Sequence, residues 1–164
     1  IKKIRDNMKF DSLEEIKEQI KKDVIASKEK SINVLTFGTF DVTHPGHIFY
    51  LNAAKMYSDT LITIIGTDKN VEKIKWKPPL HTQEKRRTDI EKLKIADIVH
   101  IWSDNNPMKW IEMYKPSIIC LWYDQKWFSE RIAHELKKYN LTTLVLRIDS
   151  LEPDKYKSSK FKNR

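Results

Sequence analysis

Residues 32–47 of the chain read INVLTFGTFDVTHPGH. The first six residues form a short apolar run rich in β-branched side chains, which is typical of a strand that is buried on both faces. Gly46 and His47 open a stretch in which the apolar residues have helical spacing. The segment therefore predicts a strand, a tight turn and the start of a helix.

The same alternation continues along the rest of the chain. Further apolar runs lie at residues 60–65, 98–101, 117–121 and 142–148, and stretches with helical spacing separate them at residues 48–57, 83–94, 108–114 and 128–139. Apolar strands separated by helices predict an α/β fold with a doubly wound, five-stranded parallel sheet. Such sheets bind ligands beyond the carboxyl ends of their strands, so the segments after the strands are the candidate site.

Residues 1–31 have a different character. Asp11 and Ser12 can cap a helix whose apolar positions follow with helical spacing, while lysine and glutamate fill its other faces. We therefore expect two parts, an N-terminal helical extension at residues 1–31 and one domain at residues 32–164. Whether the extension packs on that domain or on a second subunit stays open, and a homodimer is one possibility.

The charge balance favours an anionic partner. The 164 residues include 31 Lys and Arg against 23 Asp and Glu, which gives a formal net charge of +8. The basic residues are spread along the chain without a long block, and an AT-rich gene would also encode many lysines. The charge is therefore compatible with nucleic acid, a phosphorylated metabolite or an acidic surface; because the composition of the gene can account for part of it, we consider nucleic acid an unlikely partner.

Cysteine and hydropathy indicate the compartment. Cys120 is the only cysteine, which excludes an internal disulfide, and its apolar neighbours predict a buried strand residue and not a nucleophile. No stretch of 18 apolar residues occurs, so we expect no membrane span. These features predict a cytoplasmic protein.

Two histidines carry the clearest chemical signal. His44 and His47 are three residues apart, so both imidazoles should lie on one side of the first helical turn. The free N–H groups and the positive dipole end of that turn favour a bound anion, and two imidazoles there could donate to a polyphosphate. Zinc is a minor alternative, because it needs three or four ligands and no third histidine or cysteine has suggestive spacing. We predict no metal site in the protein.

The segment GTFDVTHPGH at residues 38–47 resembles the HxGH signature of the nucleotidyltransferase superfamily, in the short form of its cytidylyltransferase-like members. The resemblance extends over about residues 32–162 and implies a Rossmann-like, HUP-type nucleotidyltransferase fold. It implies that His44 and His47 are catalytic. It further implies nucleotide contacts from Thr36, Phe37, Gly38, Thr39, Phe40, Asp41 and Gly46.

Further matches to this family follow in chain order. The resemblance adds Lys75 and Lys77 to the catalytic residues, with Lys73 as a less certain helper. It adds to the nucleotide-binding residues Arg86, Trp122, Asp124, Ser158 and Ser159.

The resemblance also implies the reaction. A nucleoside monophosphate passes from ATP or CTP to a phosphorylated small-molecule acceptor, pyrophosphate leaves, and Mg²⁺ accompanies the triphosphate. The sequence Tyr-Asp-Gln at residues 123–125 is similar to FMN adenylyltransferases (FAD synthases) of the archaeal type. Glycerol-3-phosphate or choline-phosphate cytidylyltransferase is the alternative. A basic nucleotide- or RNA-binding module that has lost catalysis is an alternative of another class.

Tryptophan stands where this family is expected to have glycine. The chain holds five tryptophans and only three glycines, whereas glycine usually makes up about 7% of a protein. The positions in question are Trp76, Trp102, Trp122 and Trp127. Either these indoles are real and reshape the pocket, or their codons are UGA, which differs from the glycine codon GGA by one base and which some bacterial lineages reassign. We favour the second hypothesis.

The gene and the native protein test this hypothesis. We expect UGA at codons 76 and 122, and peptide mass spectrometry of the protein from its own cells should find glycine at both positions. The codon UGG at these positions would show that the tryptophans are genuine.

Overall fold

The computed structural model describes residues 31–102, 108–139 and 141–151, together with Glu15, Lys17 and Glu18. The chain divides into two compact units, Ile1–Ser31 and Ile32–Arg164. The three described residues of the first unit are helical. The predicted helix cap at residues 11–12 lies outside the described residues.

The second unit contains a parallel sheet with the strand order β3-β2-β1-β4-β5. Its strands are β1 (Asn33–Gly38), β2 (Thr60–Ile65), β3 (Ile98–Ile101), β4 (Ile118–Trp122) and β5 (Leu144–Ile148). The described helices of this unit are α1 (Pro45–Lys55), α2 (Asp68–Lys75), α3 (Gln83–Lys92), α4 (Met108–Tyr114) and α5 (Lys126–Lys138). The predicted doubly wound, five-stranded parallel sheet is confirmed.

The register of the central strand fixes where a ligand can bind. β1 pairs with β2 from Asn33↔Thr60 to Gly38↔Ile65, and on its other side with β4 from Val34↔Ile118 to Thr36↔Cys120. The chain builds the sheet outward from β1 to β3 and then crosses back to β4. The strand order therefore reverses between β1 and β4, and the crevice beyond their carboxyl ends is where such sheets bind ligands.

Both faces of the sheet are covered, because side chains alternate along each strand. Leu35 and Phe37 belong to a cluster with residues of α4 and α5, whereas Val34 belongs to a second cluster with residues of α1 and α3. Cys120 is fully buried in the second cluster, and burial raises the pKa of its thiol to about 12. The prediction that Cys120 is a buried strand residue is confirmed.

Helix α2 is the element that the hydropathy pattern did not predict. Val71 and Ile74 are the only apolar residues among its eight, and only Val71 is buried, so the helix has too few apolar positions to stand out in the sequence. The Thr67 side chain caps it by accepting a hydrogen bond from the Asn70 N–H at 3.2 Å. Lys73 and Lys75 therefore lie in the last turn of a helix rather than in a loop.

The C-cap of α2 has a conformation that suits glycine. Trp76 ends the helix in the left-handed region with φ 57° and ψ 20°, and 92% of its surface is exposed. A Cβ is unfavourable in this region, and glycine adopts it without that penalty. The backbone at position 76 is thus compatible with the glycine hypothesis, and the exposed indole contributes little burial.

A search of the described residues for a membrane-spanning element found no helix of sufficient length and apolar character.

Candidate active site

A cavity of about 950 Å³ lies beyond the carboxyl ends of β1 and β4. This volume is near the upper end of the ~300–1,000 Å³ range of small-molecule sites. Nine of the residues proposed from the sequence line it. They are Phe37, Gly38, Thr39, Phe40, His44, His47, Lys75, Trp122 and Asp124.

The two histidines lie side by side in this cavity. His44 is the N-cap of α1 with extended backbone, and its carbonyl accepts from the His47 N–H at 2.9 Å and from the Ile48 N–H at 3.3 Å. Pro45 follows in the first turn, where its missing N–H costs no hydrogen bond. The two imidazole rings stack with centroids 3.8 Å apart and an interplanar angle of 26°. Their three-residue spacing predicts this arrangement.

Two glycines allow the turn to close. A Cβ at Gly38 would lie 2.5 Å from Cε2 of Phe40, and a Cβ at Gly46 would lie 2.9 Å from Cε1 of His44. Between them, Phe40 and Val42 have positive φ values of 52° and 55°, which is strained for a β-branched residue such as valine. The backbone before α1 is therefore held in a conformation that the rest of the fold must stabilise.

Burial keeps the histidine pair neutral. Burial is the main cause that lowers the pKa of His47 to about 3; the nearby His44 and Lys75 lower it further, against an opposing effect of Asp41. Burial also lowers the pKa of His44. A neutral imidazole carries one N–H donor, so the pair can donate to phosphate oxygens without repulsion between two cations.

Cations and an amide complete the cavity wall. Lys73 and Lys75 reach it from the last turn of α2, and Asn70 joins them from the first turn. Arg131 lines the same cavity from α5. Asn70 and Arg131 match no sequence motif. The packing of α2 and α5 at this edge of the sheet places them in the cavity wall. Lys77 is exposed and is not among the lining residues.

The Arg86 side chain is engaged within the protein. Its side chain is fully buried, and its three nitrogens all donate hydrogen bonds within the protein. Nε donates to the His81 carbonyl at 3.0 Å, Nη1 to the Thr39 carbonyl at 2.5 Å, and Nη2 to the Gly66 carbonyl at 2.7 Å and to Asp68 Oδ1 at 2.6 Å. In this structure Arg86 thus joins the turn after β1 to the segments before α2 and α3, and the expected phosphate contact stays a prediction.

Asp41 is also a structural residue. It is 2% exposed, and its carboxylate accepts hydrogen bonds from the backbone N–H groups of Leu80 and His81 at 3.0–3.1 Å. It does not line the cavity, and its predicted contact with nucleotide stays a prediction. Asp41 and Arg86 together hold the segment between α2 and α3 against the turn that carries His44.

Two other predicted residues act from beneath the cavity. Thr36 is fully buried in β1, where its hydroxyl hydrogen-bonds with that of Thr63 at 2.9 Å. Gly46 is buried below the His44 ring. Neither is a lining residue, and their predicted nucleotide contacts stay predictions.

Gln125 joins the two strands at the crevice. Its Oε1 accepts from the Trp122 N–H at 3.0 Å, and its Nε2 donates to the Phe37 carbonyl at 2.9 Å. It thereby ties the end of β4 to the end of β1, while Tyr123 and Asp124 line the cavity beside it. Ser158, Ser159 and the side chain of Trp127 lie outside the described residues.

The low pKa of His47 makes stability depend on pH. In the unfolded chain His47 is protonated below its ordinary pKa of 6.5, whereas in the folded protein it stays neutral down to about pH 3. Protonation therefore stabilises the unfolded state, and the free energy of unfolding falls as the pH drops from 6.5 to 3. The titration of His47 alone should make the free energy of unfolding about 2 kcal/mol lower at pH 5 than at pH 8. Urea unfolding at both pH values measures this difference.

His47→Asn provides the comparison, because asparagine does not titrate. The wild-type chain should lose more stability between pH 8 and pH 5 than the variant does. Equal losses in the two proteins would contradict the buried, neutral state of His47.

Known proteins share this sequence and this fold. The cytidylyltransferase-like family model matches residues 35–164, and the riboflavin kinase family model matches residues 1–31. The chain is 39% identical over 129 residues to an FAD synthase of Archaeoglobus profundus, which covers 78% of this chain and 81% of the relative. It is 34% identical over 139 residues to an FAD synthase of Thermococcus onnurineus, which covers 84% of this chain and 93% of the relative.

A solved structure agrees with these relatives. The lipopolysaccharide core biosynthesis protein from Thermoplasma volcanium superposes with a TM-score of 0.69 at 30% identity, over 74% of this chain and 99% of that protein. The similarities in sequence and in fold and the position of the two stacked histidines at the switch point of the sheet lead to the same conclusion. The chain belongs to the cytidylyltransferase-like family and is a nucleotidyltransferase.

Proposed function

We propose that the protein is an FMN adenylyltransferase, which transfers AMP from ATP to FMN and releases pyrophosphate. The observation that carries the proposal is the similarity to FAD synthases over 78–84% of the chain. The match of residues 1–31 to the riboflavin kinase family also favours a flavin acceptor over glycerol-3-phosphate or phosphocholine.

The cavity suits the two substrates of this reaction. One side presents imidazoles and lysine ammonium groups, which favour a triphosphate. The lining also includes the aromatic rings of Phe37 and Phe128, whose centroids are 5.1 Å apart. Aromatic side chains are suited to a flat ring system such as a nucleobase or a flavin.

The reaction needs positioning and charge stabilisation, and no covalent enzyme intermediate. A phosphate oxygen of FMN attacks the α-phosphorus of ATP, the bond from the α-phosphorus to the bridging oxygen breaks, and pyrophosphate carries that electron pair away. His44 and His47 donate hydrogen bonds to oxygens whose charge grows in the transition state. Lys75 balances the charge of the phosphates, with Lys73 beside it.

Mg²⁺ enters with the triphosphate as part of the substrate. The described residues include no group of three or more potential His, Cys, Asp or Glu ligands. Oxygens of the triphosphate would supply direct contacts to the ion, and the exposed Asp124 carboxylate at the cavity could orient one of its waters. Homodimer formation and the pyrophosphate contacts of Ser158 and Ser159 remain predictions.

A substrate panel tests the proposed function. We expect pyrophosphate release with MgATP and FMN, in step with FAD formation measured by chromatography. Release with MgCTP and glycerol-3-phosphate or phosphocholine instead would assign a cytidylyltransferase. Salt-sensitive RNA binding without any pyrophosphate release would indicate a module that has lost catalysis.

His47→Ala tests the mechanism in the same assay. Loss of a donor to the developing charge should lower kcat by about 10²–10³-fold while the circular dichroism spectrum stays native. His134→Ala is the matched control, since the His134 side chain on α5 is 77% exposed and should be dispensable. Full turnover by a folded His47→Ala variant would exclude the assigned role.

A further inference from the structure

Trp122 stands directly against the histidine pair. It ends β4 at the crevice, and its ring lies 4.9 Å from that of His47 at an interplanar angle of 86° and 6.1 Å from that of His44. The ring of Tyr50 lies 4.9 Å from the same indole. The Cζ2 atom of Trp122 is also only 3.5 Å from where a Cβ of Gly46 would stand. The indole thus occupies the space next to the first turn of α1.

This position restricts the access of a ligand to the imidazoles. His47 contacts Trp122, Phe40 and His44 and keeps only 6% of its surface exposed. A phosphate oxygen must come within about 3 Å of a ring nitrogen to accept its hydrogen bond. Nδ1 of His47 and Nε1 of Trp122 are both buried without a hydrogen-bond partner among the described residues, so the contact between the rings satisfies neither group.

We propose that the side chain at position 122 determines the access of the nucleotide's phosphates to His44 and His47, and that the site opens fully when no side chain stands there. The inference rests on the proposed function, because it assigns the phosphates to the histidine pair. It concerns a residue that controls access and that takes no part in the bond changes.

A comparison with Trp110 distinguishes the access role of Trp122 from that of a core residue. Trp110 also has a buried indole N–H without a partner, so an unpaired donor alone does not single out position 122. Trp110 is 6% exposed, stacks on His100 with centroids 4.8 Å apart and does not line the cavity. Trp122 instead lines the cavity and contacts the two residues that would bind phosphate. If residue 122 is glycine in the cell, the natural enzyme has the open site.

Pyrophosphate binding tests the inference without requiring turnover. Isothermal titration calorimetry with pyrophosphate and Mg²⁺ would compare the wild-type chain with Trp122→Gly, Trp122→Ala and Trp122→Phe. We expect Trp122→Gly and Trp122→Ala to bind about tenfold more tightly or better, while Trp122→Phe stays close to wild type. Trp110→Phe is the matched control and should bind as the wild-type chain does. Equal or weaker binding by both small-residue variants would overturn the inference.

A second measurement reports on His47 itself. Without the indole the ring should be better solvated, so an NMR titration should find its pKa above the value of about 3 that burial imposes. A pKa that is unchanged in both small-residue variants would contradict the shielding by Trp122.

The two proposals fail in different ways. If the open variants bind pyrophosphate more tightly but none forms FAD from MgATP and FMN, the access role stands and the proposed function fails. If all variants form FAD with the same KM for ATP, the proposed function stands and the access role is overturned.

Discussion

The contact between the His44 ring and the backbone at Gly46 is the constraint on which the site depends. Any side chain at position 46 would lie within 3 Å of that ring and would displace it. Because the space is free, His44 can stack on His47 at 3.8 Å, and both imidazoles lie above the first turn of α1. The strained backbone at Phe40 and Val42 is part of the same turn.

The surrounding fold stabilises this strained turn with buried polar groups. Arg86 and Asp41 hold it against the segments before α2 and α3 by backbone hydrogen bonds. A buried guanidinium is costly unless its donors are satisfied, and here three carbonyls and the Asp68 carboxylate accept from it. Gln125 then fixes β4 beside β1. The parallel sheet thus supplies the crevice, and these residues keep its edge rigid.

The sequence could predict the features that have a local cause. The apolar runs specified the five strands, and the spacing of His44 and His47 specified their common side of the helix. Helix α2 could not be predicted in this way, because only two of its eight residues are apolar and Val71 alone is buried. The resemblance assigns Arg86 and Asp41 to the nucleotide, and only the tertiary structure shows that their side chains make hydrogen bonds within the protein. Arg131 is the converse case, since the packing of α5 brings it to the cavity.

The central claim is that this edge of the sheet promotes attack at the α-phosphorus of a nucleoside triphosphate. Following an isotopic label in the α-phosphate of ATP tests it most directly, in the presence of Mg²⁺ and FMN. The account predicts that the label appears in FAD and that the released pyrophosphate is unlabelled. Labelled ADP accompanied by phosphate transfer to the acceptor would mean attack at the γ-phosphorus and would contradict the account.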